Sequence, residues 1–254
     1  MRHLNHPAST EDLSGNWCNN SAVTSSLMEA ISFSTPVLEK FFVRTVAEGL
    51  PGRDFAELDK RCIAFIREES VHSNVHRKFN AALLAYLGQV PPGVALVESL
   101  LQFATNKLSL PSRLLLASAL EHFAAVISKG YVEQEAQMQF SSTVARKLFA
   151  QHAHEELAHR SVVFDLWLHK GATGSVMRAL TLLAILFAGF VYVSIAVPWI
   201  LHRKCGQRLR TTLAALVKHA RNKRTHTCIP LAVLFSFAGR DYHPDRLLDE
   251  TVTT

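Results

Sequence analysis

Two short stretches of this chain carry residue types that bind metal ions, at spacings that bring them together. One reads Glu68-Glu69-Ser70-Val71-His72-Ser73-Asn74-Val75-His76, the other Gln151-His152-Ala153-His154-Glu155-Glu156-Leu157-Ala158-His159. On a helix, with about 100° between successive residues, positions three and four apart share a face. Glu69, His72 and His76 then form one stripe, and His152, Glu156 and His159 fall within roughly 100° of arc on another. A Glu buried beside two His is costly unless a cation joins them, because charge taken out of water needs compensation. The chemistry on offer is a metal centre with carboxylate and imidazole donors.

Each stretch contains a Glu-x-x-His motif, Glu69 to His72 and Glu156 to His159. Four-helix carboxylate sites for two metals take that motif from each of two helices and a single Glu from each of the other two. Two carboxylates stand in apolar helical settings at the right places in the chain: Glu39, before the first motif, and Glu121, between the motifs. The expected metal ligands are therefore Glu39, Glu69, His72, Glu121, Glu156 and His159. His76, His122, His152 and Glu155 are further ligands or partners that orient the ligands. His122 lies about 100° from Glu121 on the wheel, which favours a contact with a neighbouring helix over ligation. Such a donor set suits two Fe ions, with Mn or Zn as alternatives.

Four helices must position these groups, so the expected fold is all-α, a four-helix bundle with an additional C-terminal hydrophobic helix. Residues 1–30 read as a mobile leader in which His3 and His6 are solvated. Residues 31–172 read as the bundle, and 173–254 as a hydrophobic helix, basic segment and tail. The first helix is expected to start at Thr35-Pro36 and stop at Gly49, and the second to run from an N-cap at Asp54 to Gly88. A third helical region follows Gly93 and is interrupted at Leu110-Pro111. The fourth is capped by Ser141-Ser142 and ends near Gly171.

Apolar residues make up 48 % and charged residues 19 % of the chain, which excludes both a disordered polymer and a wholly lipid-embedded protein. The net charge of +6 is concentrated in Arg203, Lys204, Arg208, Arg210, Lys218, Arg221, Lys223 and Arg224. That segment reads as a solvated basic face or, more sharply, as a match for an anionic lipid surface, and no nucleic-acid motif accompanies the charge. Ala179 to Leu201 holds no charged residue, and at 1.5 Å per residue it is about 34 Å of helix, enough for a bilayer core. The alternatives for that run are a helix buried on the bundle or the face of a homodimer. Scattered cysteines and the lack of a secretory signal place the protein in the cytoplasm or at the cytoplasmic membrane.

The segments Phe33 to Phe42, Phe65 to His72, Leu120-Glu121-His122, and His152 to His159 continuing through Val163-Phe164-Asp165 resemble a bacterial family of predicted metal-dependent hydrolases. The similarity covers roughly residues 30 to 210 and implies a ferritin-like bundle with a metal site. The residues themselves point first to O2-dependent oxidation, by a di-iron centre, of a small apolar or lipid-like substrate presented from a membrane. Metal-dependent hydrolysis, the family's usual label, is the alternative, and a non-catalytic metal-binding membrane protein is the third reading.

Overall fold

The computed structural model describes residues 13, 15–171, 174–206, 214 and 231–247. Among these residues the chain is all-α, with no strand; an isolated antiparallel bridge joins Cys18 to Phe140. His3 and His6, the basic residues from Arg208 to Arg224 and the end of the tail, for which expectations were given above, lie outside the described residues.

Helix α1 spans Ala22–Gly49 and is capped by Ser21, whose hydroxyl accepts from the Thr24 amide at 3.2 Å. It starts well before the expected Thr35-Pro36, and Pro36 lies in its interior. Leu13, Trp17 and Cys18, which fall within the expected leader, are fully buried. Trp17 packs among Phe79, Phe140 and Phe149, and its indole N–H donates to buried Glu29 at 2.7 Å. The Ser/Thr-rich stretch that reads as leader is a close-packed helical surface. Just beyond it, Ser34 and Thr35 turn their hydroxyls back onto the backbone, both donating to the Ile31 carbonyl at 2.9 Å.

A single 3-10 turn, Arg53–Phe55, leads into α2, Ala56–Leu87. Asp54 sits in that turn, and no side chain caps α2. The helix stops at Gly88, which adopts φ 75° and closes onto the Leu84 carbonyl. Helices α3 (Val94–Lys107) and α4 (Leu110–Gln134) are separated where Pro111 enters the first turn of α4. Helix α5, Thr143–His159, is capped by Ser142, which accepts from the Ala145 amide at 3.1 Å. It does not continue to Gly171. The chain breaks at Arg160-Ser161 and resumes as α6, Val162–His169. Arg61 of α2 spans the break, donating to Ser161 Oγ at 2.8 Å and Asp165 Oδ2 at 2.7 Å.

Helix α1 packs along α2 and α4 along α5, while contacts of α1 with α4 and of α2 with α5 close the ring. Two apolar clusters fill it, one around Phe41, Phe42, Phe65, Phe164 and Trp167 and the other around Trp17, Phe33, Phe79 and Phe149. On α1 Glu39, and on α2 Glu69, His72 and His76, fall in sequence between a member of one cluster and a member of the other, while on α5 Glu156 and His159 follow Ala153, that helix's last member of the second cluster. A polar layer thus separates two hydrophobic ones.

The apolar run 179–201 belongs to one helix, α7, Ser175–Cys205, with Pro198 inside it. One face is buried against α1 and α4 through Leu182, Ile185, Tyr192, Ala196, Val197 and Ile200. Tyr192 donates to the Ala30 carbonyl at 2.6 Å, and its ring leaves no room for a Cβ at Gly93, where φ is 97°. The other face exposes Leu180, Leu183, Phe187 and Phe190, both phenylalanines at 71 %. By length and composition α4 and α7 could each cross a membrane; the apolar window of α4 is 56 % buried in protein and that of α7 is 28 % buried. A last short helix, α8 (Leu231–Phe235), with the 3-10 turns after it, closes over α4 and α7.

Candidate metal centre

All four helices of the ring deliver side chains to the polar layer. Helix α1 contributes Glu39, α2 contributes Glu69, His72 and His76, α4 contributes Glu121, and α5 contributes His152, Glu156 and His159. The three- and four-residue spacings on α2 and α5 put their groups on inward faces. Three overlapping triads have ligand atoms within 4.8 Å of one another: Glu39, His76 and His152; His72, His152 and Glu156; Glu39, Glu69 and His72. Glu121 and His159 belong to none of these triads, and both His159 nitrogens are held by glutamates, Nδ1 by Glu69 and Nε2 by Glu68. His159 Nδ1 lies 2.9 Å from Glu69 Oε1, and the charge of Glu121 is felt together with those of Glu39, Glu69 and Glu156. Phe65 stands edge-on to the His159 ring and Phe149 edge-on to that of His76, closing the layer with hydrocarbon.

Burial dominates the electrostatics. It pushes the carboxyls of Glu39, Glu121 and Glu156 up, and the charges of neighbouring glutamates push the same way; Glu156 reaches about 8. Glu69 goes down instead, because hydrogen bonds from His159 and His72 outweigh its burial. Burial alone would depress His72 and His159, but bonding to Glu69 and its charge, aided by Glu155 or Glu68 and by Glu156, raises both, His72 to about 10. His76 and His152 are held neutral by burial and by the imidazoles around them, His76 at about 3. The protein groups by themselves therefore reach neutrality only by sharing protons among carboxyls and rings.

Two residues on the rim bear on the expected site. Glu155, expected to face away from Glu156, reaches across to His72 Nε2. Glu68 holds His159 Nε2, a role its place beside Glu69 does not signal, because it depends on how α2 and α5 are set against each other. His122 belongs elsewhere. Its Nε2–H donates to the Leu234 carbonyl at 2.9 Å, Tyr242 donates to its Nδ1 at 2.7 Å, and Phe237 stacks on the ring. It fastens the C-terminal segment to α4 and has no nitrogen left for a metal.

Several buried donor atoms in the layer lack a hydrogen bond of good geometry: both oxygens of Glu39 and of Glu121, one each of Glu69 and Glu156, Nδ1 of His72 and His152, and Nε2 of His76. Poorly satisfied polar atoms concentrated this way are rare in a folded interior and expensive. The set fits a pair of divalent cations, since four ionised glutamates offset two such charges and imidazoles fill remaining positions.

A family model described as "Predicted metal-dependent hydrolase" matches residues 1–247 of the sequence. No curated protein and no solved structure matches it.

Proposed function

The chain belongs to the family of predicted metal-dependent hydrolases, and from that premise we propose that it is an enzyme whose polar layer holds two divalent metal ions. The observation that carries the reading is the group of buried, unpartnered carboxylate and imidazole atoms between α1, α2, α4 and α5. Glu39, Glu69, His72, Glu121, Glu156 and His159 would hold the ions, with His76 and His152 as additional donors. Bound there, two Fe ions would supply electrons for reducing O2 against an apolar substrate, whereas two Mn or Zn ions would supply Lewis acidity toward an ester or phosphate.

Of these, the oxidative reading draws support from the residues. The layer is rich in carboxylates, which accommodate a change of metal charge. Phe65 and Phe149 lay hydrocarbon against the rings of His159 and His76, and a molecule as small as O2 needs no wide channel. The hydrolytic reading draws support from the family's description. Anaerobic loading with Fe(II) followed by air should give O2 uptake and a charge-transfer absorption band. If O2 is not consumed and Mn- or Zn-loaded protein cleaves nitrophenyl esters or phosphates without it, the hydrolytic reading replaces the oxidative one. Stoichiometric metal with neither activity points to a non-catalytic metal-binding protein.

The substrate class follows from α7. With one face fastened along the bundle, this helix would lie in a membrane surface rather than cross it, its Leu180, Leu183, Phe187 and Phe190 dipping into lipid. Trp199, with Arg203 over its ring at 5.5 Å, marks the polar end of the stripe. A lipid-like or other apolar substrate would reach the protein from that surface. The double variant Phe187→Ser/Phe190→Ser is expected to lose at least about tenfold in co-sedimentation with anionic vesicles, since each exposed ring is worth over ~1 kcal/mol when buried, and to keep its metal. Wild-type protein that stays in the supernatant defeats this reading, and a dimer that the double variant dissociates reassigns the stripe to a homodimer interface.

A further inference from the structure

Pro36 has no amide hydrogen, so the Ser32 carbonyl one turn earlier loses the donor an α-helix would give it. A side chain from α2 fills the gap: Asn80 Nδ2 donates to that carbonyl at 2.8 Å. Because a carbonyl only accepts, this bond fixes which end of the Asn80 amide faces which way. Its Oδ1 is left to receive the Ser32 hydroxyl proton, at 2.6 Å. With that proton committed, Ser32 Oγ meets His76 Nδ1, 2.8 Å away, as an acceptor. His76 must therefore carry its hydrogen on Nδ1. Its bare nitrogen is Nε2, the buried atom without a partner, on a ring that belongs to the triad with Glu39 and His152. Ser32, His76 and Asn80 are all buried, the first two completely.

We propose that Pro36, Ser32 and Asn80 form a positioning relay that makes His76 a metal ligand, by freezing its tautomer with the Nε2 lone pair turned to the polar layer. The inference rests on the two-metal reading above. It assigns the relay residues a task that packing alone does not require. A hydroxyl in a buried helix normally satisfies itself on the carbonyl one turn back, as Thr35 does on Ile31. Ser32 instead spends both its donor and its acceptor across the helix interface. Hydrogen-bond partners that orient metal-binding imidazoles are worth about 10- to 100-fold in metal affinity.

The test uses the full chain loaded with Zn(II), which is diamagnetic, and Ser32→Ala, which keeps the backbone carbonyl and its bond from Asn80. Titration against a chromophoric chelator should show one of two Zn equivalents weakened by about 10- to 100-fold. The thermal midpoint in chelator should change little. Long-range 1H–15N spectra of the imidazoles should show His76 protonated at Nδ1 and metal-bound at Nε2 in the wild type. A His76 found as the Nε2–H tautomer overturns the relay whatever the variant does. So does a Ser32→Ala protein that binds both equivalents as tightly as wild type. If wild-type protein binds no stoichiometric metal, the parent reading fails first and the relay with it. If Ser32→Ala does not fold, the wild-type tautomer alone decides.

Discussion

On the two-metal reading, replacing Glu156 by Ala is expected to take the bound metal from about two equivalents per chain toward none, and any metal-dependent rate with it. Glu156 is 3 % exposed and lies in one triad with His72 and His152 while interacting with Glu69 and His159. The other carboxylate on α5, Glu155, stands at the rim, where it bonds His72 Nε2, and belongs to none of the triads. His159→Ala should do the same, and it also frees Glu68 and Glu69 from the ring that now holds them. The measurement is elemental metal content of protein purified without chelator, alongside a thermal melt to show that each variant is folded. A folded Glu156→Ala protein that retains both equivalents removes this residue from the centre, and if His159→Ala retains them as well the two-metal reading fails.

Glu121→Leu is expected to act differently with and without metal. Both Glu121 oxygens are buried without a hydrogen bond of good geometry, and burial and three other carboxylates force the group well above its ordinary pKa. Exchanging buried ionic groups for hydrocarbon of similar volume is neutral or stabilises by about 1–4 kcal/mol, so in excess chelator the variant should melt no lower than wild type and up to several degrees above it. With free metal at about a thousandfold over Kd, binding adds about 4 kcal/mol to the wild type. For a chain of this size that is on the order of 10 °C, and the variant should lose most of it. Fluorescence melts with and without chelator measure both effects. A variant destabilised equally in the two conditions would make Glu121 a packing residue, and the asymmetry is the sign of a group kept for function at a cost in stability.

Periodicity made the inward stripes on α2 and α5 readable, since three- and four-residue spacings place side chains on one helix face whatever surrounds it. The stop at Gly88 and the cap at Ser142 were readable for local reasons too. What the sequence concealed depends on partners distant along the chain. The start of α1 was hidden because Ser25, Ser26, Ser32 and Thr35 look like loop residues, yet they are buried where helices approach closely. Pro36 resembled a first-turn proline because nothing nearby in sequence announces Asn80. The break after His159 has no Gly or Pro to mark it, and it is held by Arg61 of another helix. His122 sits next to a candidate ligand, but its nitrogens are taken by Leu234 and Tyr242, more than a hundred residues away.

The missing amide of Pro36 also constrains assembly. Until Asn80 arrives, α1 carries a carbonyl that its own backbone cannot satisfy. The two helices can therefore slide past each other only by stranding that oxygen, and a slip of one residue would rotate Glu69, His72 and His76 out of line with Glu39. The proline acts as a registration mark, leaving on α1 an acceptor that α2 fills through Asn80.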